Sequence, residues 1–151
     1  MYPRSPLRSI LIVEDDPFDV SLLINALACL QVEPGVITCD DGIEAINWLR
    51  GSCDQRATGR SPAPGLVLIG LVLPGIDGVG VISWIRRQPR LANVPVVAVS
   101  GAADPAEISR AFAAGADDVI AKPATPLVLQ RLLMEFGWGP ATDATRPQSF
   151  P

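Results

Sequence analysis

Five short apolar runs punctuate the chain, each followed by a longer amphipathic stretch. The first, Ser9-Ile-Leu-Ile-Val13, has no polar alternation and reads as a parallel strand buried on both faces. It runs into Glu14-Asp15-Asp16, where Asp16 suits the cap of a helix with Pro17 at its first position. Val20, Leu23, Leu27 and Leu30 follow at helical spacing. Gly35 to Thr38 supplies a second strand, and Asp41-Gly42-Ile43-Glu44 is a capping box for a helix to about Arg50. From Gly51 to Pro64 the chain loses periodicity and reads as a loop longer than most. The third strand, Leu66 to Ile69, stops at Gly70 and opens into Pro74-Gly75. Asp77-Gly78 starts a helix whose inward positions are Val79, Ile82 and Ile85. Pro95 to Val99 forms a fourth strand ending at Ser100-Gly101, and Asp104-Pro105 caps a helix to about Ala114, with Gly115 as its terminator. Val119 to Ala121 is a fifth strand before Lys122-Pro123. Thr125-Pro126 caps the last helix, with Leu129, Leu132, Leu133 and Phe136 on one side.

A strand and a helix repeated five times predict an α/β fold, a parallel sheet with helices on both faces and right-handed crossovers. The flavodoxin-like strand order 2-1-3-4-5 suits this pattern. The expected organisation is one domain over 9–137, an N-terminal extension over 1–8 and a loosely held tail over 138–151. No output domain is expected after the fifth helix.

Composition narrows the function classes. A net charge of −4 argues against a nucleic-acid partner, and no apolar run is long enough for a membrane span. No signal peptide precedes the first strand, so a cytoplasmic location is expected. Cys29, Cys39 and Cys53 are too scattered for a zinc site, and their odd number suggests no disulfide framework. There is no histidine, which removes the usual acid–base residue. Eleven arginines stand beside a single lysine, Lys122.

In the predicted topology the carboxyl ends of strands 1, 3, 4 and 5 bring together Glu14 and Asp15, Gly70, Ser100 and Lys122. Two carboxylates, a hydroxyl and an ammonium in one crevice describe a magnesium and phosphoryl site. At its centre Gly70 carries no side chain.

Four segments in order, Ile10 to Pro17, Leu71 to Gly78, Val94 to Gly101 and Gly115 to Pro123, resemble the receiver domain of two-component response regulators. The resemblance covers about Ile10 to Phe136. It implies that Glu14 and Asp15 are the acidic pair that holds Mg2+. Ser100 corresponds to the hydroxyl that bonds the phosphoryl group, Lys122 to the lysine that pairs with it, and Pro123 to a cis-proline. The family's phosphoacceptor aspartate falls on Gly70 and its aromatic switch residue on Val119. Gly65, aspartate in many members, is a lesser departure. The Glu-Asp-Asp-Pro-x-Asp start, Trp48-Leu49-Arg50-Gly51 with its following loop, and Trp138 are similar to the stand-alone regulators that partner bacterial phytochromes.

Glycine has no nucleophile, so the resemblance leads to a pseudo-receiver that is not an enzyme and acts by protein–protein interaction. Its expected partners are a sensor histidine kinase or another response regulator, with a homodimer through the 104–137 face as a further possibility. Alternatives are phosphorylation of a relocated carboxylate and a flavodoxin-like small-molecule-binding domain. For the first, Asp77 serves better as a helix cap and Asp15 sits against Glu14. For the second, Gly78-x-Gly80 is too short for a dinucleotide fingerprint. Mg2+ binding is expected to be weakened, because a ligand and a charge are missing. Ser100 reads equally as a strand-end cap. Lys122 is expected to bond Asp15 or Glu14 directly and hold the pocket in one state. Trp48 and Trp84 appear extra to the inward helical faces and suggest an interface.

Overall fold

A computed structural model describes residues 9–30, 35–52, 63–102 and 104–138. The extension over 1–8, Cys53 with most of the long loop, and the chain beyond Trp138 lie outside the described residues. The strands are β1 (Ser9–Val13), β2 (Gly35–Cys39), β3 (Leu66–Gly70), β4 (Val96–Ser100) and β5 (Asp118–Ala121). They alternate with α1 (Pro17–Cys29), α2 (Gly42–Ser52), α3 (Gly78–Arg87), α4 (Pro105–Ala114) and α5 (Pro126–Glu135). All pairings are parallel, in the order β2-β1-β3-β4-β5. The predicted topology is therefore the observed one.

The continuous apolar runs become strands buried along their length in β1, β3 and β4. Side chains alternate across the sheet, so each strand feeds two cores. Leu11, Val13, Val67, Ile69, Val96 and Ala98 pack with α2 and α3 on one face. Ile10, Ile12, Leu66, Leu68, Val97 and Val99 pack with α1 and α5 on the other.

Helix starts follow the predicted chemistry. Asp16 accepts from the Phe18 amide, Asp104 from Ala106 and Thr125 from Val128. Asp41 accepts from Glu44, whose carboxylate in turn takes the Asp40 amide, closing the capping box. Gly115 ends α4 at φ +118, a left-handed conformation that favours glycine.

Four expectations need correction. Gly70 is the last residue of β3, in register with Val99, rather than the first residue after it. The inner face of α3 is Val81, Ile82 and Ile85, with Val79 only partly covered, because the buried arc of the helix is centred on Gly78 and Ile85 and Val79 lies about 100° from Gly78. Trp48 and Trp84 are half-buried against the first core, and the Arg50 guanidinium lies 5.8 Å from the Trp84 ring centroid. Trp138 is buried in the second core, its amide bonded to the Leu133 carbonyl, so the domain reaches one residue into the stretch read as a tail.

Candidate functional site

The residues at the carboxyl edge of the sheet are placed by the backbone before any side chain acts. The Glu14 amide donates to the Cys39 carbonyl, extending the β1–β2 ladder by one residue and fixing Glu14 where β1 leaves the sheet. The Lys122 amide donates to the Ser100 carbonyl and does the same for β5 beside β4. Between them, β3 ends on Gly70. The Lys122–Pro123 peptide is cis.

The structure brings Glu14, Gly70 and Lys122 together. The Lys122 ammonium lies 2.6 Å from Glu14 Oε1 and 2.9 Å from Asp19 Oδ2. Glu14 Oε2 accepts the Asp16 amide at 3.0 Å. A Cβ placed on Gly70 would stand 2.8 Å from Glu14 Oε1, inside the contact limit. The volume that a side chain at position 70 would need is therefore filled by the end of the Glu14 side chain. Asp15 is exposed and takes no part in the ion pair. Of the two carboxylates offered by the sequence, Glu14 is the one that reaches Lys122.

Asp19 was missed. It lies in the first turn of α1, one turn beyond Asp15, and bonds a lysine more than a hundred positions away. In the sequence it is only the last acid of Glu-Asp-Asp-Pro-x-Asp, a first-turn acid of α1. Its consequence is mechanical, since one ammonium ties the end of β1, the start of α1 and the turn into α5.

Burial sets the electrostatics. Glu14 is 3% exposed. Desolvation pushes its carboxyl above the ordinary value, and the bonds from Lys122 and the Asp16 amide offset this only in part. For Lys122, burial disfavours the ammonium, but the bonds to Glu14 and Asp19 outweigh it and hold the pKa above that of a free lysine.

Ser100 takes the role of a local cap. Its Oγ donates to the Ala102 carbonyl at 2.6 Å and accepts the Ala102 amide at 3.2 Å, with Glu107 Oε1 at 3.4 Å. A cavity of about 190 Å³ opens beside it, lined in part by Val72, Ser100, Glu107 and Lys122. Val119 packs partly against the first core and supplies no aromatic ring. Asp77 caps α3 through the Gly80 amide.

The fit of these residues to a divalent cation is poor. Glu14 commits one oxygen to Lys122 and the other to a backbone amide, and position 70 has no carboxylate. Among the described residues no group of three or more acidic, histidine or cysteine side chains is disposed to hold a metal ion. Among the same residues no helix is long and apolar enough to cross a membrane.

The response regulator receiver domain model matches residues 10–133. Over 126 residues the chain is 32% identical to the two-component response regulator ORR1 of Oryza sativa subsp. japonica, covering 82% of this chain and 52% of that one. The chain thus spans about half the length of that relative. The structure of the bacteriophytochrome response regulator AtBRR superposes with a TM-score of 0.76 at 28% identity, covering 91% of this chain and 97% of that one. The Mn2+-bound form of Rcp1, a response regulator of Synechocystis sp., superposes with a TM-score of 0.68 at 25% identity, over 85% and 88% of the two chains.

Proposed function

The chain belongs to the response regulator receiver domain family of two-component signalling, and from that premise we propose that it is a pseudo-receiver, working through protein contacts without an aspartyl phosphate. The observation that carries this reading is at position 70. The end of the central strand offers no carboxylate, and the neighbouring Glu14 carboxylate occupies the space and bonds the lysine. The remaining groups around the pocket are already engaged. Ser100 bonds Ala102, and Asp77 holds the start of α3.

The reading includes a non-enzymatic role, a cytoplasmic location and a protein partner from the same signalling class, either a sensor histidine kinase or another response regulator. Phe18, at the start of α1, and Val72, just past β3, support a protein partner. Both are large apolar side chains, 67% and 76% exposed, on the loops and helix starts that follow the carboxyl ends of the strands. Self-association through the 104–137 face belongs to the same reading, and a mass measurement in dilute solution tests it.

Incubation with a small acyl-phosphate donor and Mg2+, followed by intact mass, tests the central point. The expected result is an unchanged mass. A stoichiometric gain of one phosphoryl group defeats the pseudo-receiver and revives the relocated carboxylate.

A further inference from the structure

The geometry points to Lys122 as the resident cation of this pocket and to Gly70 as the residue that makes room for its partner, the Glu14 carboxylate. In this arrangement the pocket is complete without a divalent metal ion. The inference concerns the same pocket as the proposed function but does not depend on it, since its readout is the lysine rather than phosphate.

The first support is steric. Glu14 reaches Lys122 from above the end of β3, and its Oε1 passes 2.8 Å from the position of a Cβ on residue 70. Real Cβ atoms essentially never stand that close to another heavy atom. A Cβ on residue 70 would therefore require the end of the Glu14 side chain to shift from the position in which it bonds Lys122. Gly70 has ordinary strand pairing to Val99 and is not among the glycines with positive φ. Its requirement here is for space.

The second support is the disposition of charge. An ammonium between Glu14 Oε1 at 2.6 Å and Asp19 Oδ2 at 2.9 Å neutralises the buried carboxylate from inside the chain. Glu14 Oε2 is held by the Asp16 amide, so each carboxylate oxygen already has a partner within the chain. A divalent cation would have to compete with Lys122 for Glu14 and place a second positive charge beside the ammonium. With only exposed Asp15 to add as a ligand, that exchange is unfavourable.

A consequence separates this inference from simple loss of a ligand. If position 70 had only lost its carboxylate, alanine there would behave as glycine does. If glycine makes the space, alanine shifts the Glu14 carboxylate and changes its bond to the lysine, which Asp19 still holds.

The chain has a single lysine, so protein labelled with 15N at lysine Nζ gives one side-chain ammonium resonance. In the unmodified sequence this resonance is expected to be visible at neutral pH, because hydrogen bonding slows its exchange, and unmoved by millimolar Mg2+. In Gly70→Ala it is expected to be lost or strongly shifted. Glu14→Gln, which leaves the backbone and Gly70 unchanged, removes the charge facing Lys122 while Asp19 still bonds it, is expected to shift the resonance as well, and decides the matter if the alanine variant does not fold. Displacement of the wild-type resonance by millimolar Mg2+ overturns the inference. So does a wild-type resonance in either folded variant. A protein that gained phosphate while keeping its ammonium resonance would sink the pseudo-receiver reading and leave this one standing.

Discussion

Glu14 and Lys122, more than a hundred residues apart in sequence, meet at 2.6 Å over a glycine that ends the central strand. The two partners are unequally buried. Glu14 is 3% exposed, while the side chains of Lys122 and Asp19 are each 24% exposed. Removing one member of a buried pair leaves an uncompensated charge, and the cost follows the burial of the charge left behind. Lys122→Met strands Glu14 and is expected to cost about 3 kcal/mol. Asp19→Ala strands no buried charge, because Glu14 still holds the lysine, and is expected to cost about 1 kcal/mol or less. Urea unfolding at neutral pH measures both, and equal costs would show that burial does not order them.

The Lys122→Met deficit is expected to depend on pH. The folded-state pKa of Glu14 already lies above its unfolded value because of burial, and loss of the ammonium moves it further in that direction. A raised folded pKa gives a contribution that is fully present below the unfolded value and lost as pH rises through the folded one. In the variant, acidification lets Glu14 take a proton and become neutral in place. The gap between variant and wild type should therefore narrow from pH 7 toward about pH 5. Paired unfolding curves across that range check this, and a constant or widening gap would contradict it.

Much of this arrangement was legible in the sequence, and the boundary of what was legible has physical causes. Strand order and the meeting of Glu14 with Lys122 follow from βα alternation, because a parallel sheet delivers every strand's carboxyl end to one edge. The choice between Glu14 and Asp15 did not follow, since adjacent residues leaving a strand point to opposite sides and the pattern does not say which side faces the lysine. Asp19 was hidden for a related reason. As a first-turn acid it suits the helix dipole alone, and its tertiary role appears only once β5 is in place. Trp138 was assigned to the tail because it opens a stretch rich in Pro, Thr and Ala, yet it is buried in the second core once α5 docks. Hydrophobic periodicity reports a helix's own faces, and the packing of its neighbours selects among them.

Arg86 has no counterpart in the sequence reading and is expected to matter for stability. Its guanidinium donates to the carbonyls of Gly115, Ala92 and Val94, and it pairs with Asp117 at 2.8 Å. Asp117 in turn accepts the Val96 amide. One side chain thus ties the end of α3 to the loop before β4 and the turn before β5. Arg86→Ala is expected to cost about 2–3 kcal/mol, and Arg86→Lys to recover little, because an ammonium lacks the planar fork that serves these acceptors together. Thermal and urea unfolding measure the loss, and a variant within about 0.5 kcal/mol of wild type would refute the assignment.

Cys39 gives the chain an alkaline weakness. Burial, followed by the nearby charges of Glu44, Asp40 and Asp41, raises its thiol from 9.0 to about 12. Below pH 9 both folded and unfolded thiols are protonated, and the contribution to stability is fully present. Above pH 9 the unfolded chain loses its proton while the folded one keeps it, so stability falls as pH rises toward about 12. Lys122 adds a second decline later, because its folded pKa lies above 10.5 and the stabilised ammonium is lost beyond that. Comparing wild type with Cys39→Ala between about pH 9 and pH 10 isolates the thiol, and the variant should lack about 1 kcal/mol of the decline. A second readout uses accessibility. Alkylation of the native protein should modify exposed Cys29 and spare buried Cys39. Equal decline in the two proteins, or rapid native alkylation at Cys39, would contradict the burial argument.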